Sequence, residues 1–116
     1  MTTSRNRDRP SAWEIWLAYL HFADHPETGK VRPIVVIDSW AEPMVVCKVT
    51  SAASGHYPTC ELADWNQEGL ERPSRVQVEP LFELSSSDLL RNRPLGKLSM
   101  SDRTSLQQAL NQSEND

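Results

Sequence analysis

Two nearly continuous apolar runs dominate the pattern of hydrophobic and polar positions along the chain. The first covers residues 34–37 and the second covers residues 44–50, and both are rich in β-branched side chains. Runs of this kind predict strands that are buried on both faces. A third segment, residues 74–79, alternates polar and apolar side chains, which predicts a strand with one wet face. Pro80 is expected to end that strand.

Helical periodicity appears near the end of the chain. Ser99 and Asp102 stand at capping-box spacing, and apolar residues then recur at helical intervals. This pattern predicts a helix over residues 100–111. A similar spacing at residues 85–88 predicts only one short turn, because a proline follows closely.

The opening segment, residues 13–22, admits two interpretations from its pattern. Ser11 and Glu14 stand at capping-box spacing, and bulky apolar residues follow at helical intervals, which favours a helix. Enrichment in Trp, Ile, Tyr and Phe favours a strand instead. The residues taken alone lean towards the helix.

These elements combine into a mainly β fold with some α structure. Several short strands, tight turns and one terminal helix predict a small β-barrel or rolled sheet with the helix packed on it. Closing the sheet hides strand edges in a chain of 116 residues, which is too short for a large open sheet. We expect one domain over residues 12–111, between a flexible basic tail, 1–11, and a flexible acidic tail, 112–116.

Composition and charge narrow the class of protein. Four Trp and 38% hydrophobic residues exclude an intrinsically disordered chain, and no apolar stretch has membrane-spanning length. Two cysteines are too few for a disulfide framework, so we expect a reduced, cytoplasmic protein. The net charge of −4 argues against a uniformly basic nucleic-acid surface. Residues 61–71 are acidic, however, and residues 91–103 are basic, so a local basic patch is compatible with the total.

Several short motifs follow one another in a distinctive order. They are Glu14-Ile15-Trp16-Leu17, then Gly29-Lys30-Val31-Arg32-Pro33-Ile34-Val35-Val36-Ile37, then Val49-Thr50-Ser51, Tyr57-Pro58 and Leu95-Gly96-Lys97-Leu98-Ser99. This order resembles the PemK/MazF family of toxins from bacterial toxin–antitoxin systems, over residues 13–110. The resemblance implies an SH3-like β-barrel that forms a homodimer. It also implies that residues 13–22 are the first strand, against the helix that periodicity favours.

The resemblance implies a function as well: metal-independent, sequence-specific cleavage of single-stranded RNA. A cognate antitoxin would block the RNA groove with a disordered segment. In such cleavage the RNA 2′-hydroxyl attacks the adjacent phosphorus and leaves a 2′,3′-cyclic phosphate and a 5′-hydroxyl. The protein supplies a base, an acid and a group that stabilises charge on the phosphoryl oxygens. No cofactor is expected, and His21, Asp24 and His25 lack the fourth ligand of a metal site.

Candidate catalytic residues follow from the matching positions. Arg32 corresponds to the family's active-site arginine, whose planar fork matches two phosphate oxygens. The resemblance also points to Thr50 as a donor to a phosphoryl oxygen, with Ser51 able to share the role, and to His25 as an acid or base. Each of these residues also has an interpretation without catalysis. Arg32 would form a surface ion pair with an acid such as Glu27, Thr50 would be an ordinary strand-end threonine, and His25 would be an exposed loop histidine.

Other residues are candidates for holding the RNA. Those expected to neutralise phosphates are Lys30, Lys48 and Arg75, and those expected to stack on a base are Tyr57 and Trp40. The acidic segment 61–71 repels RNA and is therefore expected away from the groove.

The sequence departs from the family pattern at two places. Some members carry an aspartate in the strand after the acidic loop, where this chain reads Arg75-Val76-Gln77-Val78-Glu79. Arg75 and Glu79 are the candidates to replace that aspartate. Trp13 stands where the family usually has a glycine. These departures keep two alternatives open: a non-catalytic protein- or nucleic-acid-binding module on the same barrel, and a gyrase-directed toxin of the same fold.

Overall fold

The structure, a computed structural model, describes residues 9–21, 25, 27–52 and 57–114. Six strands precede one helix: β1 Glu14–His21, β2 Gly29–Asp38, β3 Met44–Thr50, β4 Thr59–Glu61, β5 Arg75–Leu84, β6 Gly96–Lys97 and α1 Met100–Glu114. A 3₁₀ turn, Ser86–Asp88, lies between β5 and β6, which confirms the single turn expected there. No helix in the described part of the chain is long and apolar enough to cross a membrane.

The six strands form one antiparallel sheet in the order β4-β5-β3-β2-β1-β6. The pairing register shifts between Val36 and Asp38 on β2, and again between Val46 and Lys48 on β3. Irregularities of this kind bend a strand and increase its twist. The sheet accordingly curls into a half-barrel, which confirms the predicted small, mainly β architecture with a terminal helix.

Residues 14–21 form a strand, so the helix that their periodicity favours is wrong and the resemblance is right. β1 pairs with β2, beginning at Ile15 opposite Val35, and its other edge pairs with β6. Ile15, Trp16 and Ala18 are all fully buried. A strand that is buried on both faces carries apolar residues without alternation, and helical spacings then arise by coincidence.

Trp13, the residue directly before β1, has a left-handed backbone conformation with φ = 73°. This conformation is rare for bulky residues and natural for glycine, which the family usually has here. The Trp13 N–H donates to the carbonyl of Val36 at 2.7 Å, and the Trp13 carbonyl accepts from the N–H of Leu98 at 2.9 Å. The Arg103 guanidinium lies 5.4 Å from the centre of the Trp13 ring. These contacts hold the strained backbone in place.

β5 continues through Pro80 to Leu84, so the expected end at Pro80 is wrong. The pairing with β3 shifts from Lys48 opposite Gln77 to Val46 opposite Phe82, and Pro80 falls within that shift. Proline is tolerated there because no ladder hydrogen bond needs its missing N–H. Gln77 is buried, so the face that was expected to be wet is closed at this position.

Alternate residues of the central strands belong to two different apolar clusters. Val35 and Cys47 belong to one cluster, which includes Leu106 of α1, whereas Ile34 and Val46 belong to the other. The confirmed strands are therefore buried on both faces, as their apolar runs predict. The helix is also confirmed, and it extends to Glu114, so residues 112–114 of the expected acidic tail are helical.

Candidate functional site

A groove of about 600 Å³ lies beside the end of β3. Its apolar lining comes from Leu17, Pro33, Val49, Leu70 and Leu95. Its charged and hydroxyl-bearing lining comes from Arg32, Thr50, Ser51, Glu71, Arg72, Ser74 and Arg91. The groove therefore combines an apolar surface with anion-binding groups and hydrogen-bond donors.

Arg32 and Thr50, the first two catalytic candidates, meet in this groove. The pairing of β2 with β3 ends with Ile34 opposite Lys48, and extending this antiparallel register by two residues brings Arg32 level with Thr50. Both side chains line the groove. Ser51 follows directly and also lines the groove. The structure thus brings together three of the four residues that the sequence proposed for catalysis.

The polar groups of Arg32 and Thr50 are available to a ligand. The Thr50 hydroxyl accepts a hydrogen bond from the N–H of Ala52 at 3.1 Å, which leaves its own hydrogen free to donate. Among the described residues no carboxylate pairs with Arg32. Glu27, its alternative partner, lies 3.7 Å from the ring of His25 instead.

Arg75 lies on the other side of Thr50, directly opposite it on β5. A row of three side chains, Arg32, Thr50 and Arg75, therefore crosses neighbouring strands. The Arg75 guanidinium lies 3.5 Å from the carboxylate of Glu61, so part of its charge is offset. Its Nε is buried and has no hydrogen-bond partner within the described residues. Arg75 does not line the groove.

The remaining charged candidates do not line the groove. Lys30 is exposed opposite Leu20 on β1, and Lys48 is half-buried in the middle of the sheet. The side chain of His25 is 71% exposed beside Glu27. His21 lies 3.4 Å from Asp88, and Asp24 falls outside the described residues.

The two aromatic residues considered for base stacking are also absent from the groove lining. Tyr57 is half exposed, and Trp40 is almost fully exposed in the turn between β2 and β3. Trp40 lines a separate hollow together with Arg9, whose guanidinium donates to the carbonyl of Ser39 at 3.2 Å. Pro10 is buried there, so this part of the expected basic tail is packed on the domain.

The acidic segment 61–71 contributes to one wall of the groove, so the expectation that it lies elsewhere is wrong. Leu70 and Glu71 belong to the lining. The negative charge that this segment adds to the groove is nevertheless small, because its other acids do not line the groove. Glu61 pairs with Arg75, and Glu68 is buried inside the wall.

Two glycines hold this wall against the segment that precedes α1. Gly69 has a left-handed φ of 92°, and a Cβ at Gly69 would collide with the carbonyl of Leu95. A Cβ at Gly96 would likewise collide with the carbonyl of Glu68. Because only glycine permits such an approach, the wall is located by backbone packed against backbone.

Buried carboxyl groups attach the same wall to α1. The Glu68 carboxylate accepts from the N–H of Ser99 at 2.8 Å, and Asp102 accepts from the N–H groups of Ala63 and Asp64, each at 2.9 Å. The Ser99 hydroxyl accepts from the N–H of Asp102 at 3.1 Å, so the predicted serine cap is confirmed. The Asp102 carboxylate therefore binds backbone N–H groups of the wall. In a capping box it would instead accept from the N–H of Ser99, which here donates to Glu68.

Burial, together with the neighbouring Asp102 carboxyl, raises the pKa of Glu68 from its ordinary value to about 7. Within the described residues, Asp64, Glu68 and Asp102 form the one carboxylate cluster compact enough for a cation, with oxygens within 4.8 Å of one another. Their neighbours are N–H donors and the positive end of α1, which stabilise carboxylates without a cation. We therefore interpret the cluster as a structural joint.

Sequence reasoning missed Arg72, Arg91 and Glu71 as members of the groove. For Arg91 the sequence did contain one indication of a role in binding anions, because this residue begins the basic segment 91–103. Among the described residues, the lining carries three arginines and one carboxylate, a charge of +2 on a chain whose total is −4. The described lining around Arg32 and Thr50 is therefore positive, whereas the chain as a whole is negative.

The chain matches a family model described as PemK-like, MazF-like toxin of type II toxin–antitoxin system, over residues 11–113. No curated protein sequence matches it. Among solved structures, it resembles the Mycobacterium tuberculosis toxin MazF-mt6 with a TM-score of 0.65 and 22% identity, over 88% of this chain and 96% of that one. That identity supports the fold alone, whereas the family match spans most of the chain. The chain therefore belongs to the PemK/MazF-like family of toxins of type II toxin–antitoxin systems.

Proposed function

We propose that this toxin is a metal-independent, sequence-specific endoribonuclease that cleaves single-stranded RNA in the groove. The observation that carries the proposal is the meeting of Arg32 and Thr50 in a groove whose described lining has a charge of +2, on an acidic protein. A phosphodiester is the anion that such a lining fits, and the apolar part of the lining fits a base. A homodimer and a cognate antitoxin complete the proposal, because the family resemblance implies both.

Arg32 and Thr50 act on the phosphoryl group. The guanidinium of Arg32 binds two phosphoryl oxygens, and the Thr50 hydroxyl donates to one of them. Both interactions strengthen as the 2′-hydroxyl attacks and negative charge accumulates on these oxygens. Ser51 is the second hydroxyl available at this position.

Glu71 is the carboxylate that supports the proton transfer. It is the one acidic side chain in the described lining of the groove, and it accepts the proton of the attacking 2′-hydroxyl. It thereby takes the role for which some family members use a strand aspartate. His25 stays a prediction for the acid, since no described contact connects it to the groove.

The test is RNA cleavage in EDTA with analysis of the ends that are produced. Wild type should yield 2′,3′-cyclic phosphate and 5′-hydroxyl ends, and Arg32→Ala and Thr50→Ala should lose the products. Arg93→Ala is the matched control, because Arg93 is exposed and does not line the groove. Intact RNA across mixed sequences, with folded wild-type protein, would overturn the proposal.

One observation favours a second function, a non-catalytic RNA-binding module. Gln77, in the strand where some members carry an aspartate, is buried and cannot exchange protons with a substrate. The same experiment separates the two functions, because a binding module retains RNA on the protein and produces no new ends.

A further inference from the structure

Three arginines reach the groove from separate segments, and the sheet fixes their order. Arg72 precedes β5, Arg32 lies on β2, and the segment with Arg91 is attached to β1 through the N–H of Leu90, which donates to the carbonyl of Leu17 at 3.0 Å. Since the strands run in the order β5-β3-β2-β1, Arg32 lies between the other two arginines.

Arg72 and Arg91 each combine a fixed backbone with a free guanidinium. The carbonyl of Arg72 accepts from the Ser74 hydroxyl at 2.8 Å, and Leu90 anchors the backbone beside Arg91. Both arginines are exposed, and neither forms an ion pair with a described residue. An anchored arginine without a protein partner, on the rim of a groove, is suited to bind an external anion.

We propose that Arg72 and Arg91 bind the two phosphates that flank the scissile phosphate, one arginine to each. This inference rests on the proposed function, because it takes the Arg32–Thr50 pair as the position of the scissile phosphate. Guanidinium contacts to the flanking phosphates fix the register of the strand, while they leave the reacting atoms to Arg32. Arg72 and Arg91 are therefore binding residues, and their loss weakens the RNA complex.

The first arm of the test is the salt dependence of binding. The probe is a single-stranded RNA with a 2′-deoxy substitution at the mapped cleavage site, which prevents cleavage. Each of Arg72→Ala and Arg91→Ala should reduce the slope of log K against log salt by about 0.7, the value for one phosphate of a single strand. Arg93→Ala, an exposed arginine outside the groove, should leave the slope at the wild-type value.

The second arm assigns each arginine to one phosphate. A neutral methylphosphonate replaces the phosphate on the 5′ side or on the 3′ side of the cleavage site, and each replacement should weaken binding to wild type. Arg72→Ala should be insensitive to one replacement and Arg91→Ala to the other, because each variant has already lost that contact.

The outcomes separate this inference from the proposed function. RNA cleavage by wild type, combined with unchanged salt slopes in both variants, overturns the inference and leaves the function standing. Equal sensitivity of both variants to both methylphosphonates also overturns it. Absence of RNA binding and cleavage by wild type overturns the function together with the inference.

Discussion

The Glu68 carboxylate accepts a hydrogen bond from the N–H of Ser99 at 2.8 Å, and this contact joins the groove wall to the cap of α1. The other carboxyl oxygen of Glu68 is buried without a hydrogen-bond partner among the described residues, and Asp102 is its carboxyl neighbour. A proton on Glu68 satisfies that oxygen and removes its repulsion from Asp102. The stability of the wall therefore depends on a titratable group.

Protein stability should decrease as the pH rises through neutrality. Burial raises the pKa of Glu68 from 4.5 to about 7, so the folded protein holds this proton more tightly than the unfolded chain does. The resulting stabilisation is fully present below pH 4.5 and is lost as the pH rises through about 7. We expect this group to lower the free energy of unfolding by about 1–3 kcal/mol across that window, measured by urea unfolding.

Glu68→Gln is the matched control for this prediction. The amide stays neutral at every pH and keeps an oxygen for the N–H of Ser99. The difference in stability between wild type and the variant should therefore change with pH in favour of wild type under acid conditions. A difference that is the same at about pH 5 and about pH 8 would contradict the assignment to Glu68.

Arg32→Lys should separate charge from geometry at the phosphoryl group. Lysine keeps the positive charge but lacks the planar fork that binds two oxygens. We expect the single-turnover cleavage rate to fall about 100- to 1,000-fold, with a smaller change in RNA affinity. Arg93→Lys provides the comparison outside the groove. A cleavage rate for Arg32→Lys equal to that of wild type would exclude a bidentate role.

Thr50 variants should show whether its hydroxyl takes part in the reaction. Thr50→Ser keeps the hydroxyl that accepts from Ala52 and should retain most of the activity. Thr50→Val keeps the branched shape that suits a strand and should reduce the cleavage rate about 100-fold or more. Single-turnover kinetics on one RNA measures both variants. Similar rates for the two would show that the hydroxyl is dispensable.

Glu71→Gln should reduce the cleavage rate without weakening RNA binding. Removal of the base lowers the rate by about 100- to 10,000-fold, whereas removal of one negative charge from the groove favours the RNA. The measurements are single-turnover rate and equilibrium affinity on the same RNA. Tighter binding with an unchanged rate would show that Glu71 only repels the substrate.

Trp13→Gly should leave the protein more stable than Trp13→Ala. Both variants lose the ring that packs beside Arg103, but glycine accepts the φ of 73° and alanine does not. We expect a difference of about 1 kcal/mol in the free energy of unfolding, measured by urea unfolding of both variants. Equal stabilities would show that the left-handed backbone carries no strain.

The local sequence pattern predicted correctly those secondary-structure elements for which it indicates only one type of element. The apolar runs at 34–37 and 44–50 are strands, and the Ser99 cap begins a helix. It failed for β1, because a strand buried on both faces does not show the alternation that distinguishes it from a helix. It also failed at Pro80, since a shift in register between two strands leaves no signal in either one.

The candidate site was predictable to the extent that it follows from pairing of neighbouring strands. Arg32 and Thr50 come from adjacent strands, and the family resemblance points to both residues. Arg72 and Arg91 were not predictable, because their approach depends on the path of two loops around the sheet. The position of Glu71 was not predicted for a different reason: the total charge of the segment places it away from the groove, whereas most of its acids do not line the groove and Glu71 does.

The contact of Gly69 and Gly96 with opposite backbone carbonyls has a consequence for how this toxin can diversify. The distance between the groove wall and the facing segment is set by main-chain atoms, so it does not depend on the side chains that the wall displays. Substitutions at the exposed residues Glu71 and Arg72 therefore alter the chemistry of the lining without changing this main-chain contact. Such a wall allows the chemistry of the groove to change by exchange of a few side chains, while the fold that carries them is preserved.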